Sequence, residues 1–269
     1  VLQTLIIIFR EVIEAGLIVG IVLAATRGVP GRGLWVAMGV LGGVIGAALL
    51  ATFAGGLSTL FQGRGQELFN ATVLLFAVVM LTWHNVWMAT HGREISRQMK
   101  AVGSDVKIGK KSLAALAIVV GIAVLREGSE VVLFLFGILA QGGETVGGMM
   151  LGGALGVLAG GALSAIIYLG LAAIPMKRLF AVTGALIALL AAGLAVQAMA
   201  FLQQAGVVRI FDKPLWDTSS VVADASVPGR LLKTLIGYTD QPDGLQLIAW
   251  VAVLAAMFGL TRLVGRKHA

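Results

Sequence analysis

Ile6-Ile7-Ile8-Phe9-Arg10-Glu11-Val12-Ile13-Glu14-Ala15-Gly16-Leu17-Ile18 sets three charged side chains in the middle of an apolar run, and Ala123-Val124-Leu125-Arg126-Glu127-Gly128-Ser129-Glu130-Val131-Val132-Leu133 does so again. A helix needs about 20 apolar residues to cross a bilayer, and both stretches sit inside runs of that length. A charge at the bilayer centre costs roughly 2.5–3.5 kcal/mol on insertion scales, so six of them need a partner or a task. Two Arg cannot neutralise four Glu. If all six groups are ionised, four minus two leaves two negative charges over. A carboxylate surplus inside a membrane reads as a cation site.

The composition fits that reading. Of 269 residues, 58% are hydrophobic and 12% charged, against about 25% charged in a soluble domain. The mean hydropathy is +0.97. Thirty-seven Gly and only five Pro suit close helix packing in lipid. The absence of Cys excludes disulfides, thiolate metal sites and iron–sulfur clusters. The net charge of +7 comes from basic residues clustered between apolar segments, so it is a topology signal and no nucleic-acid partner is expected. The first apolar segment, broken by Arg10, Glu11 and Glu14, does not read as a cleavable signal.

Seven segments are long enough to span, at about 2–25, 34–61, 67–90, 113–140, 146–173, 179–203 and 245–263. The first, third and fifth connections and the C-terminal tail hold thirteen Lys and Arg; the other connections hold five. By the positive-inside rule the N-terminus is expected outside and the C-terminus in the cytoplasm. The motifs lie 116 residues apart (126 minus 10), in spans one and four, so their helices cross in opposite directions. That is the pattern of an inverted 3+3 repeat with a seventh helix appended. The expected fold class is therefore an all-α integral membrane protein with seven transmembrane helices. It is expected to form one transmembrane domain over 1–269: repeat one about 1–111, repeat two about 112–204, an outside loop 205–244 and a seventh helix 245–263. Glycines at 39, 42, 43 and 46 in span two, and at 148, 152, 156 and 160 in span five, repeat the symmetry and read as packing stripes.

Residues three apart share a helix face, so Glu11 and Glu14 project together, as do Glu127 and Glu130. Inverted repeats bring such midpoints around an axis at mid-membrane, and four carboxylates then converge. They are hard oxygen ligands, suited to Fe3+, Mn2+, Mg2+ or Ca2+. Arg10 and Arg126 lie i, i+4 to the second Glu of each motif and would orient the carboxylates as supporting residues. His84 in span three is either an interhelical hydrogen-bond partner or a secondary ligand. Glu67 and Glu144 stand at outside ends, as entrance groups or solvated loop charges. Trp, Tyr and basic residues at span ends read as interface anchors.

The doubled motif fits a cation permease, and also a proton- or sodium-coupled solute transporter. An intramembrane metalloenzyme lacks a His pair or a nucleophile with its base, so no enzyme is expected. A haem-bearing redox subunit lacks a bis-His pattern, with only His84, His91 and His268 present.

Arg10-Glu11-Val12-Ile13-Glu14-Ala15 and Arg126-Glu127-Gly128-Ser129-Glu130, with Leu81-Thr82-Trp83, Trp87-Met88, Leu215-Trp216-Asp217-Thr218-Ser219 and Gly237-Tyr238, resemble the oxidase-dependent high-affinity iron permease family of yeast and bacterial EfeU and FtrC types. The likeness covers nearly the whole chain. It implies iron uptake, with Glu11, Glu14, Glu127 and Glu130 as iron residues and Arg10 and Arg126 in support. Iron would pass as Fe3+, or as Fe2+ oxidised while entering. It is the substrate, and no permanently bound cofactor is implied. The resemblance also implies a periplasmic iron-binding or copper-oxidase partner, for which the outside loop is a docking surface; it leaves an oligomer open. Where relatives resemble Glu-x-x-Glu at the start of span three, Glu67 is followed here by Asn70, which leaves a single acid at that entrance.

Overall fold

The five prolines, at 30, 175, 214, 228 and 242, all fall between the apolar runs or at a helix start. The runs are therefore free to form unbroken helices. A computed structural model describes residues 1–59, 65–141, 145–170 and 176–267; Arg64 and Glu144 lie outside the described residues. Eight helices occur among the described residues: α1 Leu2–Ala25, α2 Arg32–Thr59, α3 Gln66–Lys107, α4 Ala114–Gln141, α5 Val146–Tyr168, α6 Met176–Gln204, α7 Val227–Ile236 and α8 Gly244–Lys267. Five contain stretches long and apolar enough to cross a membrane: Arg32–Phe53, Gln66–Met88, Val146–Tyr168, Ala181–Gln204 and Gly244–Val264. The other two long helices, α1 and α4, carry the charged motifs.

Two departures from the sequence reading stand out. The third span was expected to end near residue 90, yet α3 runs on to Lys107 without a break. Its 42 residues make a rod of roughly 63 Å, about twice the hydrocarbon thickness, so its last turns stand clear of the bilayer. Arg97 pairs with Glu94 at 2.7 Å and Gln98 donates to Glu94 at 3.1 Å, which supports this extension and holds the Glu94 carboxyl below its ordinary range. The rod stops at a left-handed Gly109 (φ 77°), where Lys110 N–H bonds Asp105 O at 2.8 Å and Gly109 N–H bonds Val106 O at 3.1 Å. The second departure is α7, a short helix inside the expected outside loop. Ser226 caps its start, and Trp250 of α8 donates to Ile236 O at 2.7 Å at its end.

The helices pack in pairs: α1 along α5, α2 along α4 and α3 along α6, with α8 outside α3 and α6. The glycine stripes form two of these seams. A Cβ at Gly156 would sit 2.9 Å from Leu5 O, and one at Gly160 would sit 2.8 Å from Phe9 O, so α5 lies against the backbone of α1. Gly39 and Gly43 stand in the same relation to Ala117 O (2.6 Å) and Gly121 O (2.8 Å) of α4. Gly42 faces open space.

Buried apolar side chains form two clusters. One gathers Ile7, Leu74, Leu81, Phe134, Ile138 and the α6 run from Ile187 to Ala198. The other gathers Val22, Val36, Val106, Leu116, Val120 and Val124. Exposed residues on the outer faces are large and apolar, among them Leu41, Leu49 and Phe53 of α2 and Met150 and Leu158 of α5. Such faces suit lipid rather than water.

Candidate functional site

The two clusters leave a polar layer between them. On α1, Arg10, Glu11 and Glu14 lie between Ile7 and Val22; on α4, Arg126, Glu127 and Glu130 lie between Val124 and Phe134; on α3, His84 lies between Leu81 and Val106. The motif spacing turns each Glu pair to one face, and α1 packs directly against α4, where the pairs meet. Glu11, Glu14 and His84 are each no more than 2% exposed, Glu127 is 3% and Glu130 6%.

Arg10 clamps its own motif, with Nη1 2.8 Å from Glu11 Oε1 and Nη2 2.8 Å from Glu14 Oε1. His84 bridges the two motifs, Nε2 lying 3.4 Å from Glu14 Oε2 and Nδ1 2.5 Å from Glu130 Oε2. Arg126 is looser: its Nε is 3.5 Å from Glu130 Oε1 and 3.9 Å from Glu127 Oε1. Its side chain is 35% exposed, against 3% for Arg10. The Arg126 guanidinium lies 4.1 Å over the Trp87 ring, and Trp87 stacks on His91 with centroids 5.2 Å apart. Motifs equivalent in sequence are thus held differently.

No donor reaches Glu11 Oε2 or Glu127 Oε2, both buried. Lone carboxylate oxygens away from water are costly unless something positive completes them. One ligand atom each of Glu11, His84, Glu127 and Glu130 falls within 4.8 Å of the others. Ligands about 2.0–2.4 Å from a metal lie no more than about 4–5 Å apart, and the four atoms meet that limit.

Of the sequence candidates, Glu11, Glu127 and Glu130 come together, and Glu14 is one step removed, against Arg10 and His84. His84, expected as a secondary group, is central. Glu67 is exposed in the first turn of α3, 17 residues before His84, or roughly 25 Å along the helix. Trp87, given no site role from the sequence, covers Arg126; its position one turn after His84, on the same face, was the available signal.

The acids of the stretch between α6 and α8 are largely spent on local structure. Asp224 Oδ1 accepts Asp240 N–H at 2.8 Å and Asp240 Oδ2 accepts Asp224 N–H at 3.0 Å. Ser219 N–H and Gln241 hold Asp217, with its carboxyl below the usual range because of Ser219 first. Asp243 caps α8 through Gln246 N–H at 2.8 Å, and Gln246 reaches back to the Asp243 N–H.

Comparison with known proteins adds the rest. The chain is 34% identical over 256 residues to a protein of Escherichia coli O6:H1 (strain CFT073) named "Ferrous iron permease EfeU", covering 92% of this chain and 90% of that one. Proteins of the same name from Escherichia coli O157:H7 and Yersinia pestis are 33% identical over 253 residues and 31% over 245. These matches cover 92% of this chain and 90% of the relative in the first case, and 88% and 84% in the second. No solved structure matches. The iron permease FTR1 family matches residues 1–265, and the chain, a multi-pass membrane protein by its apolar helices, belongs to that family.

Proposed function

We propose that this protein carries iron as Fe2+ across the cytoplasmic membrane through the buried site formed by its two Arg-Glu-x-x-Glu motifs. The observation that carries the reading is the pair of undonated carboxylate oxygens, Glu11 Oε2 and Glu127 Oε2, in a sealed layer with an excess of Glu over Arg. With all four Glu and both Arg ionised, four minus two leaves two negative charges, which a dication neutralises. Carboxylates alone favour the trivalent ion; an imidazole in the same cluster moves the preference towards Fe2+. The name of the relatives, ferrous iron permease, agrees.

The architecture in this reading is seven spans, α1 to α6 and α8, with α1–α3 and α4–α6 as inverted repeats. Exchanging the halves turns the α1–α5 seam into the α4–α2 seam and returns the α3–α6 seam to itself, which supports the symmetry. The cation bias of the connections supports an outside N-terminus and a cytoplasmic C-terminus. With no Cys in the chain and one His in the cluster, a separate periplasmic protein that delivers iron fits this reading.

Radioiron uptake into proteoliposomes, with Fe2+ under ascorbate and Mn2+, Zn2+ and Ca2+ as competitors, tests this. Gln at Glu11, Glu127 or Glu130 is expected to abolish uptake while the protein still inserts. Unchanged uptake with all three replaced would refute the site.

A further inference from the structure

We propose that His84 is a ligand of the transported ion and Glu14 its positioning residue, so that the site is three carboxylates and one imidazole rather than four carboxylates. This rests on the ion-site reading above. The two imidazole nitrogens point apart and have different neighbours. Nδ1 faces Glu130 Oε2 at 2.5 Å, Glu130 being a member of the four-residue group, while Nε2 faces Glu14 Oε2 at 3.4 Å, Glu14 lying outside it. A metal-bound His commonly presents one nitrogen to the ion and donates its other N–H to a carboxylate, which fixes tautomer and ring orientation. Glu14 suits that second role. Its Oε1 is taken by Arg10 Nη2 at 2.8 Å, and it is the one motif Glu absent from the four-residue group. Glu11 differs, since Arg10 holds its Oε1 and leaves Oε2 without a donor. The duplicated motif therefore does not act as four equal ligands. The third ligand-bearing helix, α3, lies outside both motifs.

The consequence is selectivity. Oxygen-only sites suit Mg2+ and Ca2+, whereas imidazole suits first-row transition metals. One nitrogen among three carboxylates discriminates Fe2+ from the abundant alkaline-earth dications by ligand chemistry.

The test is pulsed EPR of the full-length protein in nanodiscs loaded with Mn2+, paired with competition uptake. Wild type is expected to show 14N coupling from a coordinated imidazole, and His84→Gln to lose it. In uptake, His84→Gln should lose at least about tenfold of its preference for Fe2+ over Ca2+. Glu14→Gln should keep the 14N coupling and the preference while its apparent Fe2+ affinity falls about 10–100-fold. Mn2+ bound to wild type without 14N coupling, or coupling that persists in His84→Gln, would overturn the proposal and leave the carboxylate site standing. Failure of wild type to bind Mn2+, or Mn2+ affinity indifferent to Glu11→Gln and Glu127→Gln, would overturn both. The wild-type spectrum decides even if a variant fails to fold.

Discussion

Arg10 and Arg126 occupy the same place in two copies of one motif, and a sequence argument gives them equal weight. The structure does not. Arg10 is sealed and touches Glu11 and Glu14 at 2.8 Å each, so Arg10→Gln strands two carboxylates with no other cation at that distance. Removing one partner of a buried pair costs about 3–5 kcal/mol. Arg126 is 35% exposed, sits 3.5 and 3.9 Å from its carboxylates, and rests on Trp87; Glu130 keeps His84 when it goes. A loose, partly exposed pair contributes about 0–1 kcal/mol and a cation–π contact about 0.5–1 kcal/mol. The expected difference between Arg10→Gln and Arg126→Gln is therefore about 1–4.5 kcal/mol. At about 2 °C per kcal/mol for a chain of this size, Arg10→Gln lowers the melting temperature by about 6–10 °C and Arg126→Gln by about 1–4 °C. Thermal unfolding in detergent, followed by fluorescence-detected size exclusion, reads both. Equal losses, or a larger loss at Arg126, would refute the asymmetric clamp.

Three further outcomes are expected. In this chain without native cysteines, a cysteine at exposed Ser104 should label only from the cytoplasm and one at exposed Ala225 only from outside; the reverse pattern would overturn the topology. Gly156→Ala brings a Cβ to 2.9 Å from Leu5 O and 3.0 Å from Ile8 Cβ, so α1 must shift by several tenths of an ångström and uptake should fall. Gly161→Ala meets nothing within 4 Å and should be neutral; equal effects would discount the seam. Cells carrying the permease with its periplasmic partner should take up Fe2+ faster than cells carrying the permease alone. Full-rate uptake by the permease alone, insensitive to oxygen, would remove the partner from the reading.

Helices were legible because the signal is local. Long apolar runs without interior proline become helices in any context, and Arg-Glu-x-x-Glu fixes which side chains share a face before any tertiary contact exists. The continuation of α3 to Lys107 was hidden, because residues 91–107 are polar and read as a loop by hydropathy. What makes them helical is the Glu94–Arg97 pair, a glycine stop at Gly109, and packing of Gly103 on Ala25. The local bonding of the acids in the expected outside loop was hidden as well: Asp217, Asp224, Asp240 and Asp243 each accept a backbone N–H.

The sequence by itself determined the charged residues, their spacing on each helix and the excess of two carboxylates, since these are properties of single helices and of composition. Tertiary structure alone decided that His84, 70 residues after Glu14 and 46 before Glu130, stands between them. It also decided that Arg10 is sealed while Arg126 is not, and that Glu14 stands back from the other three Glu. The reason is geometric. A helix fixes angles within itself, but the distance between groups on α1, α3 and α4 depends on how closely the backbones approach. That approach is a property of the packed helices α1, α3 and α4, which no single helix shows.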